Sequence, residues 1–193
     1  MKHSIIYQYI TLFFIIIVGL LSQRNIYAQK KFVSPAVTDT PISTIIQYDL
    51  AFPGILPGNI FYKLKVLRDK IQLIMTTDAR KRINLLLHFA DKGVLASAML
   101  VDKKNWKLAE ETALKAENNM TLLTPEISRL SDPVDQVLLE KLQTASLKHQ
   151  EIFISLKERV PTDAQLIFSQ VIDFSKRNQS EIEKYIEQTD SLQ

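Results

Sequence analysis

From residue 60 onward, apolar side chains recur every three or four positions, the interval that keeps them on one side of an α-helix. A first helix carries Ile60, Leu64, Leu67, Ile71 and Ile74. A second, behind a Thr77-Asp78 cap, carries Ile83, Leu87, Ala90, Val94, Ala98 and Val101. A third follows Asn105 with Trp106, Ala109, Ala113, Ala116, Met120 and Leu123. The fourth opens at Asp132-Pro133, a capping residue followed by proline at the first helical position, and continues through Val134, Leu138, Leu142, Ala145, His149, Ile152 and Leu156. The fifth begins near Pro161 and uses Ile167, Val171, Phe174, Asn178, Ile182 and Tyr185. No segment alternates with the two-residue period of a strand, and Gly93 is the sole glycine after residue 58. The pattern predicts an all-α fold: an elongated bundle of about five helices, the last two roughly 40 Å long at 1.5 Å per residue. Gly93, Ala96, Ser97 and Ala98, set against the alanines of the third helix, predict a close hairpin of helices two and three.

The chain ahead of the helices has a different texture. Residues 1–28 hold two basic residues, Lys2 and Arg24, no acid, and a 13-residue apolar core from Tyr9 to Leu21. A basic start, a short apolar core and a polar tail ending at Ala28 form the layout of a secretory signal peptide. Counted back to Ile5 the apolar stretch reaches 17 residues, the lower limit for spanning a bilayer, so an uncleaved membrane anchor is the second reading, and a cytoplasmic domain the third, set behind these two. The first two readings place the body of the chain outside the cytoplasm, secreted or held on the outer face of a membrane. Residues 29–52 are expected to be an extended linker and 53–193 the helical domain, with Asn59 positioned to cap its first helix. There is no cysteine, so in an oxidising compartment the fold rests on its core without disulfides.

Charge changes the picture modestly. The formal net charge of +3 falls to +1 once residues 1–28 are set aside, and so weak an excess lacks the basic stripe expected of a nucleic-acid binder. The distribution is lopsided, however. Residues 61–107 hold eleven Lys/Arg against four Asp, and residues 110–193 hold nine against fifteen acids. Two halves with complementary fields account for this, as do charges on solvated faces. The functional reading is a basic surface centred on Arg80, Lys81 and Arg82, meeting an anionic polymer or lipid headgroups.

Candidate chemistry is sparse. His88 and His149 lie on different helices, and no His-x-x-x-His, His-x-x-Glu or Glu-x-x-His pair occurs, so neither a metal nor a haem site is assigned. Without Cys, Gly-x-Ser-x-Gly or a glycine-rich phosphate loop, no catalytic or cofactor-binding residue is assigned and no cofactor is implied. Carboxylates such as Glu110-Glu111 read as solvated helix surface. His149 falls on an apolar stripe, where a hydrogen-bonded core histidine is the default.

One local signature stands out. Pro53-Gly54-Ile55-Leu56-Pro57 leads stiffly into Phe61-Tyr62 and then Leu64-Lys65-Val66-Leu67-Arg68-Asp69-Lys70-Ile71. With weaker matches at Lys81-Arg82-Ile83, Leu108-Ala109-Glu110-Glu111-Thr112 and Lys148-His149, the chain over residues 48–157 resembles a bacterial family of exported or membrane-attached proteins catalogued as a domain of unknown function. Gly58-Asn59 departs from the acidic residue often seen there, and residues 162–193 match nothing in it. The resemblance implies an all-helical extracytoplasmic domain and brings no activity or ligand. Pro53, Gly54, Leu56, Pro57, Phe61, Tyr62, Leu64 and Lys65 are taken as structural. The expected function is a non-catalytic interaction or cell-envelope module whose partner is an envelope protein, a second copy, or an anionic polymer or lipid surface. The alternative is a ligand-binding or enzymatic bundle with an internal pocket, marked by Asn178 and His149, polar interruptions of apolar stripes.

Overall fold

The computed structural model describes residues 46–130 and 136–190. The leader and most of the expected linker lie outside them, as does the Asp132-Pro133 cap. Five helices follow in order: α1 (Tyr62–Met75), α2 (Ala79–Asp102), α3 (Trp106–Ile127), α4 (Gln136–Arg159) and α5 (Thr162–Asp190). Among the described residues there is no strand, and the expected all-α bundle of about five helices is what forms.

The start of α2 follows from its sequence: the Asp78 side chain accepts a hydrogen bond from the Lys81 backbone N–H at 2.8 Å, satisfying one of the donors that a helix start leaves orphaned. Helices α2 and α3 fold back on each other through a short turn in which Lys104 takes a positive φ of 57°. Their close approach rests on Gly93, where an added Cβ would sit 2.7 Å from the Ala116 Cβ and 3.2 Å from its Cα. Gly93→Ala should therefore destabilise the fold by about 1–3 kcal/mol through overpacking, outweighing the gain in helix propensity of about 1 kcal/mol. Urea unfolding checks this, and recovery in Gly93→Ala/Ala116→Gly would identify the contact. An unchanged or raised midpoint for Gly93→Ala would contradict it.

Helices α4 and α5 form the second hairpin, and the two hairpins lie side by side. Contacts between them keep one register. Arg159 pairs with Asp102 and Lys141 Nζ donates to Asn84 Oδ1, running α4 parallel to α2 at an offset of 57 residues. Thr121 to Asn178 and Ser128 to Tyr185 run α5 parallel to α3 at the same offset. The core between these four helices divides into two apolar clusters. One is built around Phe153, Phe168, Val94 and the alanines 109, 113 and 116. The other gathers Ile83, Leu86, Leu87, Met120, Leu123, Leu139, Leu142 and Ile182. By length and composition α2 is apolar enough to cross a bilayer; in the bundle its stripe, from Ile83 to Val101, lies in this core.

Two stripes point elsewhere than their spacing suggests. In α5, Phe168, Val171 and Ile172 are buried, whereas Phe174 is partly exposed beneath the Arg177 guanidinium, 4.5 Å from its ring centre. In α1 no residue is buried. Its inward side consists of Tyr62, Val66, Asp69 and Leu73, all half-buried, and the predicted stripe of Ile60, Leu64, Leu67, Ile71 and Ile74 faces away from the bundle. The spacing was helical; the buried face is the opposite one.

A buried polar layer as the candidate functional site

Between the two apolar clusters each long helix contributes one polar residue: Asp91 from α2, Glu117 from α3, His149 from α4 and Asn178 from α5. The stripes themselves place them there. Asp91 lies four after Leu87 and three before Val94, and Glu117 four after Ala113 and three before Met120, so both face inward with their apolar neighbours.

His149 is fully buried at the centre. Its Nε2 lies 2.9 Å from Asp91 Oδ1 and its Nδ1 3.2 Å from Glu117 Oε1. Ionised carboxylate oxygens only accept, so both ring nitrogens must donate, which defines an imidazolium. Burial works against that charge, but the hydrogen bonds that the ring donates to Asp91 and Glu117 and the fields of the two carboxylates outweigh it, raising the pKa to about 9. The outer carboxylate oxygens are also engaged. The Tyr48 hydroxyl donates to Asp91 Oδ2 at 2.9 Å, and Asn178 Nδ2 donates to Glu117 Oε2 at 3.0 Å. Thr121 Oγ1 closes the chain by donating to Asn178 Oδ1 at 3.0 Å. Burial, followed by the charge of Asp91 and the bond to it, pushes the Tyr48 hydroxyl well above its ordinary range, so it stays a donor. Among the described residues, the buried Ser175 hydroxyl is the side-chain group left without a partner.

This arrangement is closed. Both imidazole nitrogens are occupied, leaving no lone pair to ligate a metal or take a substrate proton, and no set of three His, Asp or Glu among the described residues is placed to hold a metal ion. His149 and Asn178 do converge, as a pocket reading requires, but Glu117 fills the space between them and binds both. A hollow of about 620 Å³ lies elsewhere, open to solvent, between residues 54–59 and the α2–α3 turn at Met99, Leu100, Lys103 and Asn105. The reading of carboxylates as solvated surface is corrected here: Asp91, Glu117 and Glu126 are all buried. Tyr48, at the end of the segment read as linker, went unassigned as well. Residues 46–52 form neither helix nor strand, and the Ile46 N–H bonds Glu151 while Leu50 packs on the core.

The three residues of the basic triplet sit in two different settings. Arg82 bridges inward: its Nε donates to Glu126 Oε1 at 2.9 Å and its Nη1 to the carbonyls of Leu73 and Thr76 at 2.7 and 3.0 Å. It ties the end of α1 to the end of α3. Lys81 and Arg80 are exposed, and the Arg80 carbonyl accepts from Asn84. In the lead-in, Gly54 and Gly58 adopt φ of 67° and 90°, the left-handed region open to glycine. Lys65 Nζ donates to the Pro53 carbonyl at 2.8 Å, latching the proline segment onto α1. Asn59 Oδ1 accepts from Phe61 N–H at 2.9 Å, fixing the turn just ahead of α1.

One family model matches the chain, over residues 54–163, and is described as a domain of unknown function (DUF5667). No curated protein and no solved structure matches it.

Proposed function

The chain belongs to this family, and on that premise we propose that it is a non-catalytic helical module, working at the cell envelope outside the cytoplasm, that binds another envelope component or a second copy of itself. The observation that carries this reading is α1. Its apolar residues stay exposed, Ile74 at 78% and Leu64 at 63%, beside a bundle whose polar centre is sealed. A contiguous apolar face on a folded surface favours a binding partner. The location is supported by the signal-peptide-like layout of residues 1–28. The pocket-based alternative has less in its favour, because the two residues that would mark it are bonded to one carboxylate.

The chain lacks cysteine, which permits a clean test. Ser180→Cys, on the exposed side of α5, should react with a membrane-impermeant maleimide in intact cells. A photo-crosslinker at Leu67 should form adducts that one at Ile154, exposed on α4, does not. Labelling that appears only after lysis would refute the location. Equal, background-level adducts from both positions would refute the binding face.

A further inference from the structure

The outward face of α1 has the composition of a helix that lies in a membrane interface. Leu64, Leu67, Ile71 and Ile74 form its centre, and Ile60 and Met75 extend it at either end, all between 48% and 82% exposed. At 3.6 residues per turn, Lys63 and Lys70 fall along one flank of this stripe, and Arg68, with Lys65 behind it, along the other. Lys63, Arg68 and Lys70 are exposed. The helix has a single carboxylate, Asp69, which sits on the bundle side and pairs with Arg68 at 2.6 Å. The outward surface thus offers aliphatic side chains rimmed by cations and no anion. Such helices sink their apolar side into the acyl boundary while long basic side chains reach up to the headgroups.

We infer that this face of α1 docks on a bilayer containing anionic lipid, laying the helix along the surface. The inference rests on the interaction-module reading and names its partner class. Charge complementarity selects the occupant. A second copy would bring the same lysines and arginine against one another, which is repulsive. The chain's own apolar segment in residues 1–28 contributes two basic residues and no acid, so it offers these cations nothing. Anionic headgroups supply the missing charge at the depth where the lysines end, each basic residue strengthening binding about fivefold.

The test uses the full chain carrying Leu67→Cys or, as a control, Ile154→Cys, each labelled with a polarity-sensitive fluorophore. The chain is mixed with vesicles of phosphatidylcholine alone or with about one third phosphatidylglycerol. The label at 67 should shift to the blue and be quenched by lipid-borne spin labels in the anionic vesicles, with the effect weakening as salt rises. The label at 154 should stay wet. Lys63→Gln/Lys70→Gln, both on the exposed surface, should lower the docked-to-undocked ratio by about thirtyfold. A label at 67 that remains in water with anionic vesicles overturns the inference. So does one shielded without lipid, in proportion to protein concentration (a second copy) or independently of it (another part of this chain). If position 67 still crosslinks a protein in cells while staying wet on vesicles, the lipid assignment falls and the interaction module stands; if neither occurs, both fall.

Discussion

His149→Leu should lower the unfolding free energy by about 3–5 kcal/mol, the cost of leaving a buried charge without its partner. Against a total of about 5–15 kcal/mol for a domain, that is a large share. The loss follows from what remains. Asp91 and Glu117, both nearly inaccessible to water, would each lose the donor that faces them, keeping only Tyr48 on one and Asn178 on the other. Leucine supplies volume but no hydrogen. A second variant separates the loss of histidine from the orphaning of its partners. Asp91→Leu/Glu117→Met/His149→Leu removes every member of the ion cluster together, and replacing a whole buried cluster by apolar side chains is often neutral or stabilising. The triple variant should therefore recover most of the stability that the single one loses. Urea denaturation of both provides the measurement. A single variant within about 1 kcal/mol of the parent would show that the layer is not an interlocked unit.

If the triple variant is as stable as expected, the layer serves something other than net stability. Its position suggests what. The helices above and below it are lined with alanine, leucine and valine at a repeated spacing, and side chains of that kind permit more than one vertical alignment. A polar residue from each of four helices, joined only at one level, penalises every other alignment by orphaning buried groups. The offset of 57 residues shared by several contacts between the paired helices, with Asp91–His149 close to it at 58, is the register that this layer would hold.

How much of this could be read beforehand varies with the physics of each element. The α2 stripe from Ile83 to Val101 is buried throughout, because period and core orientation coincide there. Gly93 and the α3 alanines were legible for the same reason, since small residues matter where backbones meet. In α1 the period was correct but could not say which face is covered; Tyr62, Val66 and Leu73, the side that packs, form a weaker apolar pattern than the side left bare. His149 and Asn178 stood out as polar interruptions. Asp91 and Glu117 did not, because carboxylates on helices are usually solvated. The signal was nonetheless present: each sits four residues after one buried apolar position and three before the next. What the spacing could not show is that all of them meet at one level, which depends on the register between helices distant in sequence.

Stability should fall as the pH rises from about 6.5 to about 9, by on the order of 3 kcal/mol from this site. In the unfolded chain His149 titrates near the ordinary histidine value, about 6.5; in the fold its pKa is raised to about 9. Below the lower value both states carry the proton, and the contribution is fully present. Between the two values the folded state binds the proton and the unfolded state does not, so each step up in pH favours unfolding. Above the upper value the contribution is gone. The groups that face the imidazole are Asp91 from α2 and Glu117 from α3, with neutral Asn178 from α5 behind Glu117 and Tyr48 behind Asp91. Tyr48 extends the trend. Its raised pKa keeps it protonated in the fold where an unfolded tyrosine ionises, so a further decline should set in above about pH 10 and be lost in Tyr48→Phe. His88 acts in the opposite sense: desolvation, then Lys92, lower its pKa, so its stabilising slope belongs below about pH 6.5. Thermal or urea midpoints recorded from pH 5 to 11 should bend downward in the middle window for the parent and stay level there for the triple variant. A parent curve that is flat or rising between pH 6.5 and 9 would mean that His149 is neutral in the fold, with one of its two carboxyl neighbours holding the proton instead.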